Sequence, residues 1–173
     1  VALLKLMDRT GAAVSDDRFL NQHAIMGEGK MARPILTTLD LLKLLMSQDV
    51  ITEAEFFASM ASLRSAGYAL IPVEYAELAP LILSANSRDG ALVETAELRA
   101  IRESVLRVRM SSALQVPKEL PWLNQLIGSS LLVLKDLWIT GFELDAVSAK
   151  SKWLLELCDL RGWAHRVASE NTI

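Results

Sequence analysis

Cysteine is almost absent from this chain. Cys158 stands alone, which excludes an internal disulfide framework and a cysteine-rich zinc site and suits a reducing compartment, so a cytoplasmic protein is expected. Histidine is nearly as scarce: His23 and His165 lie far apart, too few and too distant for a histidine-based metal site. A long uncharged run is missing too. The most apolar window, "WLNQLIGSSLLVLKDLWI", is broken by Asn124, Gln125, Lys135 and Asp136, whereas a membrane-spanning candidate needs about 18 or more apolar residues with few or no charges. No basic-then-apolar leader is visible. A surplus of positive charge is lacking as well. The net charge of −3 excludes a surface that is one continuous nucleic-acid footprint, although a local basic face stays open. There is no internal repeat and no low-complexity tract.

What is present describes a folded, helix-rich chain. Apolar residues make up 51% and charged residues 23%, ordinary globular values that exclude wholesale disorder, and 173 residues suffice to bury a core. The opening "VALLKLMDR" reads as the end of a helix already in progress, with Leu3, Leu4 and Met7 on one stripe. A piece of a longer protein is therefore expected.

Up to about residue 75 helix and strand alternate. Gly11 stops the first helix, Ala12 to Ser15 reads as a short buried-type strand, and "DDRFLNQHAIM" has helical spacing. After the glycine loop "GEGK" come a second strand, "PILTT", and the helix "LDLLKLLMS", with Thr38 as its cap. "TEAE" has capping-box spacing and starts another helix, which Gly67 ends. "YALIPV" reads as a third strand closed by Pro72. From Glu74 onward strand signals vanish. "EYAELAPLILSA" predicts a helix disturbed at Pro80, and "NSRDG" a turn. In "ETAELRAIRESVLRVRM", Leu98, Ile101, Val105 and Val108 form a 3-4-3 seam. A long helix from about Trp122 to Ile139 and a last one from about Leu144 to Ala168 follow, separated by Gly141. The expected fold is thus α/β passing into all-α, mostly helical with a few short parallel strands. The expected parts are 1–75, α/β with a helical hairpin, and 76–173, a helical bundle.

The chemistry-bearing stretch is "GAAVSDDRFLNQHA". Asp16 and Asp17 follow a strand, and strand ends at one edge of a parallel sheet converge on a crevice. Carboxylates collected there suit Mg²⁺ or Mn²⁺, hard cations that prefer oxygen ligands and can activate water at a phosphodiester. The same residues fit a plainer part, with Ser15 or Asp16 capping the next helix and Asp17 favouring its positive end.

The stretch resembles the last acidic motif of the PIN domain, the metal-dependent ribonuclease fold of many toxin–antitoxin pairs. Ser15, Asp17 and Phe19 match that motif, and "RPILTTLDLLKLL" resembles the strand and helix that follow it, a likeness over about the first 46 residues. The resemblance implies divalent-metal-dependent RNA cleavage, with Asp17 and its neighbour Asp16 as catalytic and metal-holding residues and Mg²⁺ or Mn²⁺ as cofactor. The family's other ligands lie on an earlier strand and earlier helices. Asp8 stands too near the end of its helix to replace them, so this chain would hold one corner of the site and bind metal weakly or not at all alone.

Other constellations are weighed beside this one. The two helices of "TTLDLLKLLMSQDVITEAEFFASMASLRSAGYALIPV", followed by a strand, have the order of a winged helix-turn-helix, but the second helix carries Glu53, Glu55 and Arg64 with no Asn or Gln for base edges. Arg102 and Arg109 share one side of a helix that also holds Arg99, Arg107 and three glutamates. That pattern reads as a salt-bridged face, with Arg18, Arg102 and Arg109 the candidate RNA contacts. Trp122, Trp138, Trp153 and Trp163 read as core or helix–helix interface, and Cys158 as a core thiol. Gly128, Ser129 and Ser130 read as a place where another helix approaches closely. The expected partners are a protein docked on the C-terminal helices, RNA, and a second copy of the chain. A non-catalytic interaction module is the rival reading, and it predicts an exposed apolar patch on the helical half.

Overall fold

The computed structural model describes residues 11–16, 25–27, 29, 32–110 and 119–159. The chain divides into two compact units, Val1–Ser59 and Met60–Ile173. The expected N-terminal helix, and most of the one expected over "DDRFLNQHAIM", lie outside the described residues.

In the first unit a three-stranded sheet has the order β1-β3-β2. β1 (Ala13–Val14) runs parallel to β3 (Arg33–Leu36), with Ala13 opposite Ile35 and Val14 opposite Leu36, and the Ser15 amide extends the pairing by donating to the Leu36 carbonyl at 2.8 Å. β2 (Ile25–Met26) pairs antiparallel with β3. Two expectations are corrected here. The end of "DDRFLNQHAIM" is strand rather than helix, because its backbone pairs with Pro34 and Arg33, and the sheet is mixed rather than parallel.

α1 (Thr38–Ser47) begins at its expected cap, so the cap itself lies one residue earlier. Thr37 is the N-cap: its hydroxyl accepts from the Asp40 amide at 3.0 Å while the Asp40 carboxylate accepts from the Thr37 amide at 2.8 Å. The helix ends with Asp49 in the left-handed region (φ 54°) and the Val50 amide donating back to the Leu45 carbonyl. α2 (Glu53–Ser65) starts at the expected second capping box: the Thr52 amide donates to Glu55 at 2.8 Å, and the Glu55 amide returns a bond to the Thr52 hydroxyl. Gly67 (φ 90°) ends it, with the Tyr68 amide bonding the Leu63 carbonyl.

The second unit holds a core of its own. α3 (Tyr75–Ser84) runs through Pro80 without interruption. A hairpin follows, β4 (Ser87–Arg88) paired antiparallel with β5 (Ala91–Leu92). It corrects the expectation that strands end at Glu74. Its two turn residues, Asp89 (φ 52°) and Gly90 (φ 72°), both have positive φ, the geometry that lets a two-residue loop follow the twist of its strands. α4 (Ala96–Met110), α5 (Glu119–Ile139) and α6 (Leu144–Leu157) complete the unit. The four seam residues Leu98, Ile101, Val105 and Val108 are all buried and join Leu78, Ile82, Leu126, Leu137, Trp153 and Leu154 in one cluster. At roughly 1.5–3 kcal/mol for each fully buried large apolar side chain, this cluster dominates the unit's stability.

Tyr68 to Val73 is not the expected third strand. Leu70 sits in the left-handed region (φ 60°), which breaks the extended run, and the carbonyls of Ile71, Pro72 and Val73 accept from side chains instead of a neighbouring strand. Trp122 Nε1 donates to Ile71 at 2.9 Å, Ser129 Oγ to Val73 at 2.9 Å, and Arg64 Nη2 to Pro72. Arg64 is fully buried and forks onto the Glu77 carboxylate at 2.5 and 2.7 Å. Without that strand the helix pair α1–α2 lacks the wing of a winged helix-turn-helix. No helix among the described residues is long and apolar enough to cross a membrane.

Candidate functional site

The acidic corner is visible through Asp16. β1 ends beside the end of β3, and Asp16, the second residue past β1, there meets the start of α1. Its Oδ1 accepts from the Thr38 amide at 2.9 Å and its Oδ2 from the Thr38 hydroxyl at 2.6 Å. A free helix-start donor is thereby satisfied by a residue 22 positions upstream, and both carboxylate oxygens already carry a hydrogen bond. Asp17, Arg18 and Phe19 lie outside the described residues. Among the described residues no group of three His, Cys, Asp or Glu side chains could hold a metal ion.

The arginines of α4 are engaged individually. Arg102 forks onto Glu94, Nε to Oε1 at 2.5 Å and Nη2 to Oε2 at 3.0 Å, and Trp153 Nε1 donates to the same carboxylate at 2.7 Å. With Arg102 beside it, the Glu94 carboxyl is held below the usual range, and the guanidinium is raised in turn. Arg109 donates to the Leu157 carbonyl at 3.3 Å, and Arg107 to the Arg64 carbonyl. The expected salt-bridged face is therefore concentrated on Glu94, which Arg99 also reaches at 4.0 Å, while Arg107 and Arg109 donate to backbone carbonyls.

α4, α5 and α6 also form an open groove of about 790 Å³. Arg102, Arg109 and Lys152 line it together with Glu156, Asp159 and Trp138. Trp138, expected in a core or a helix–helix interface, is 63% exposed and so outside the core; Trp122 and Trp153 are buried as expected, and Trp163 lies outside the described residues. Leu155, also in the groove wall, is 61% exposed. The exposed side chains of α5 follow a helical stripe: Leu131 and Trp138 are seven residues apart, as are Leu132 and Ile139. Among the described residues nothing stands within 4 Å of where a Gly128 Cβ would lie, so the expected close approach is not made at this glycine. Ser129 is buried by its bond to Val73, and Ser130 is buried as well.

Cys158 caps α6 and is half-buried. Burial pushes its thiol up, which disfavours the nucleophilic thiolate. Lys150 is buried, donates to the Leu83 carbonyl at 2.8 Å and lies 4.6 Å over the Phe142 ring, and burial pushes its ammonium down. It reads as an anchor for the C-terminal end of α3 rather than a reactive amine.

The groove and the role of Glu94 were missed in the sequence. The available signal was the apolarity of α5 around most of its circumference, more than one buried face requires. No known protein family, curated protein or solved structure matches the chain.

Proposed function

We propose that this chain is the C-terminal part of a PIN-like, nuclease-related protein of the cytoplasm, with Asp17 contributing one corner of a Mg²⁺- or Mn²⁺-dependent site that cleaves RNA. The observation that carries the reading is the parallel register of β1 on β3, followed directly by α1. It is the strand-and-helix order the resemblance implies, and carboxyl ends of parallel strands are where such crevices form. The engagement of Asp16 by Thr38 supports the residue-by-residue match. It gives the first aspartate a structural task and leaves Asp17, the motif position, as the ligand. The described residues do not by themselves fit a divalent ion, so the remaining carboxylates belong to polypeptide outside them. The test is Mn²⁺-dependent RNA cleavage by the full-length protein before and after Asp17→Ala. A large loss of rate is expected, and an unchanged rate removes Asp17 from the mechanism.

A second reading is favoured by a different observation, the groove of the helical unit. Trp138 and Leu155 stand exposed in its wall, and charged and apolar side chains line it together, a composition suited to docking a protein. On this reading the helical unit docks a protein partner, and Arg102 and Arg109 shape the rim rather than contact RNA. An apolar fluorescent dye should bind the unit and lose most of its signal in Trp138→Glu. Equal binding by the variant would end the reading.

A further inference from the structure

We infer that the groove is the seat of this chain's own C-terminal segment, residues 160–173, which an outside partner has to displace. The inference rests on the docking reading above and names the first occupant of that surface. Place in the chain selects it. α6 walls the groove from Ser148 to Leu157, and Asp159, the last of the described residues, lines it too. The residues that follow therefore start at the edge of the groove. Gly162 comes almost at once, and glycine takes up the backbone conformations of a chain reversal without a steric penalty.

Length and pattern suit the same seat. At the rise of an α-helix the wall from Ser148 to Leu157 is about 14 Å long, and Trp163 to Thr172 wound as a helix would span about 15 Å. On such a helix Trp163, Ala164, Val167 and Ala168 share one side, and His165, Ser169 and Thr172 the other. That is the pattern of a helix laid into a groove, with Trp163 as anchor for a wall in which Trp138 and Leu155 stand exposed. Attachment then decides the competition. A short tether holds its segment at an effective concentration on the order of millimolar, so contacts too weak to capture a free peptide at micromolar concentration still keep the groove filled.

Titration with the apolar dye tests this on the full chain and its variants. Trp163→Glu and Val167→Asp should each bind the dye about threefold or more tightly than the parent, because the competing segment has left. Ser169→Glu, on the other side of that helix, should bind it as the parent does. Adding Trp138→Glu to Trp163→Glu should abolish the gain, which separates an emptied groove from a loosened fold; a gain that survives overturns the inference. A synthetic peptide of residues 160–173 should displace the dye from the Trp163→Glu variant. Equal dye affinity in the parent and both variants, with binding still lost in Trp138→Glu, overturns the self-occupied groove and leaves the docking reading intact. No dye uptake by parent or variants removes both. The difference between parent and Trp163→Glu should hold constant from low micromolar to submillimolar protein. A difference that grows with concentration overturns the inference in favour of a second copy.

Discussion

The two units are stabilised in different ways. In the first, α1 has no buried residue, and Leu41, Leu44 and Val50 are exposed. Two local devices, the Thr37–Asp40 box and the left-handed Asp49, hold its ends, and the Asp16–Thr38 bridge ties its start to the end of β1. The second unit buries a cluster contributed by α3, α4, α5 and α6 and ties the irregular segment Tyr68–Val73 to helix side chains. Capping is worth about 1 kcal/mol per site, whereas each large core side chain contributes more, so cooperative stability is expected to reside in the helical unit.

The sharpest way to break the contrast is at Arg64. Arg64→Ala leaves Glu77 buried without its partner and releases the Pro72 carbonyl, and should cost about 3–5 kcal/mol in urea unfolding. The apolar pair Arg64→Met/Glu77→Leu should recover most of that loss, and a double variant as unstable as the single one would refute the account. Leu126→Ala, in a fully buried site, should cost about 2–5 kcal/mol by the same measurement. Hydrogen exchange compares the units directly. Amides of α1 should exchange about a hundredfold or more faster than those at the centres of α4 and α5, and equal protection would refute the difference. Smaller still is Asp16→Ala, expected to cost about 1 kcal/mol and to speed exchange at the start of α1 alone.

The smallest predicted effect depends on pH. Glu94 has its carboxyl lowered in the folded state by Arg102. Its contribution is therefore present above the ordinary glutamate range, near about pH 4.3, and is lost as the pH falls through the lowered value. Acid unfolding of Glu94→Gln should show a shallower dependence across that window. An unchanged slope would remove Glu94 from the acid response.

Much of the fold was legible where one helix explains itself. The 3-4-3 seam of α4, the Thr52–Glu55 box, and the stops at Gly67 and Gly141 all stand where spacing and residue chemistry place them. The Asp89-Gly90 turn was legible too, since Asp-Gly is a strong turn signal, but the strands it joins are too short to show as a pattern. Tyr68 to Val73 misled because β-branched and aromatic residues promise a strand, while the acceptors of that segment are taken by Arg64, Trp122 and Ser129. Of the candidate site, the pairing of one arginine side with glutamate was anticipated, but neither its focus on Glu94 nor the groove was.

By itself the sequence determined where α2 begins and ends and where α5 stops, because caps, left-handed stops and hydrophobic periodicity act within a few residues and need no partner. Only the tertiary structure decided that Asp16 bonds Thr38, that Trp153 and Arg102 share Glu94, and that Trp138 faces outward while Trp122 is buried. The Trp153–Glu94 and Trp122–Ile71 bonds join residues 59 and 51 positions apart, and the Asp16 bridge closes over 22. Whether such pairs meet depends on how whole elements pack, which no local pattern encodes.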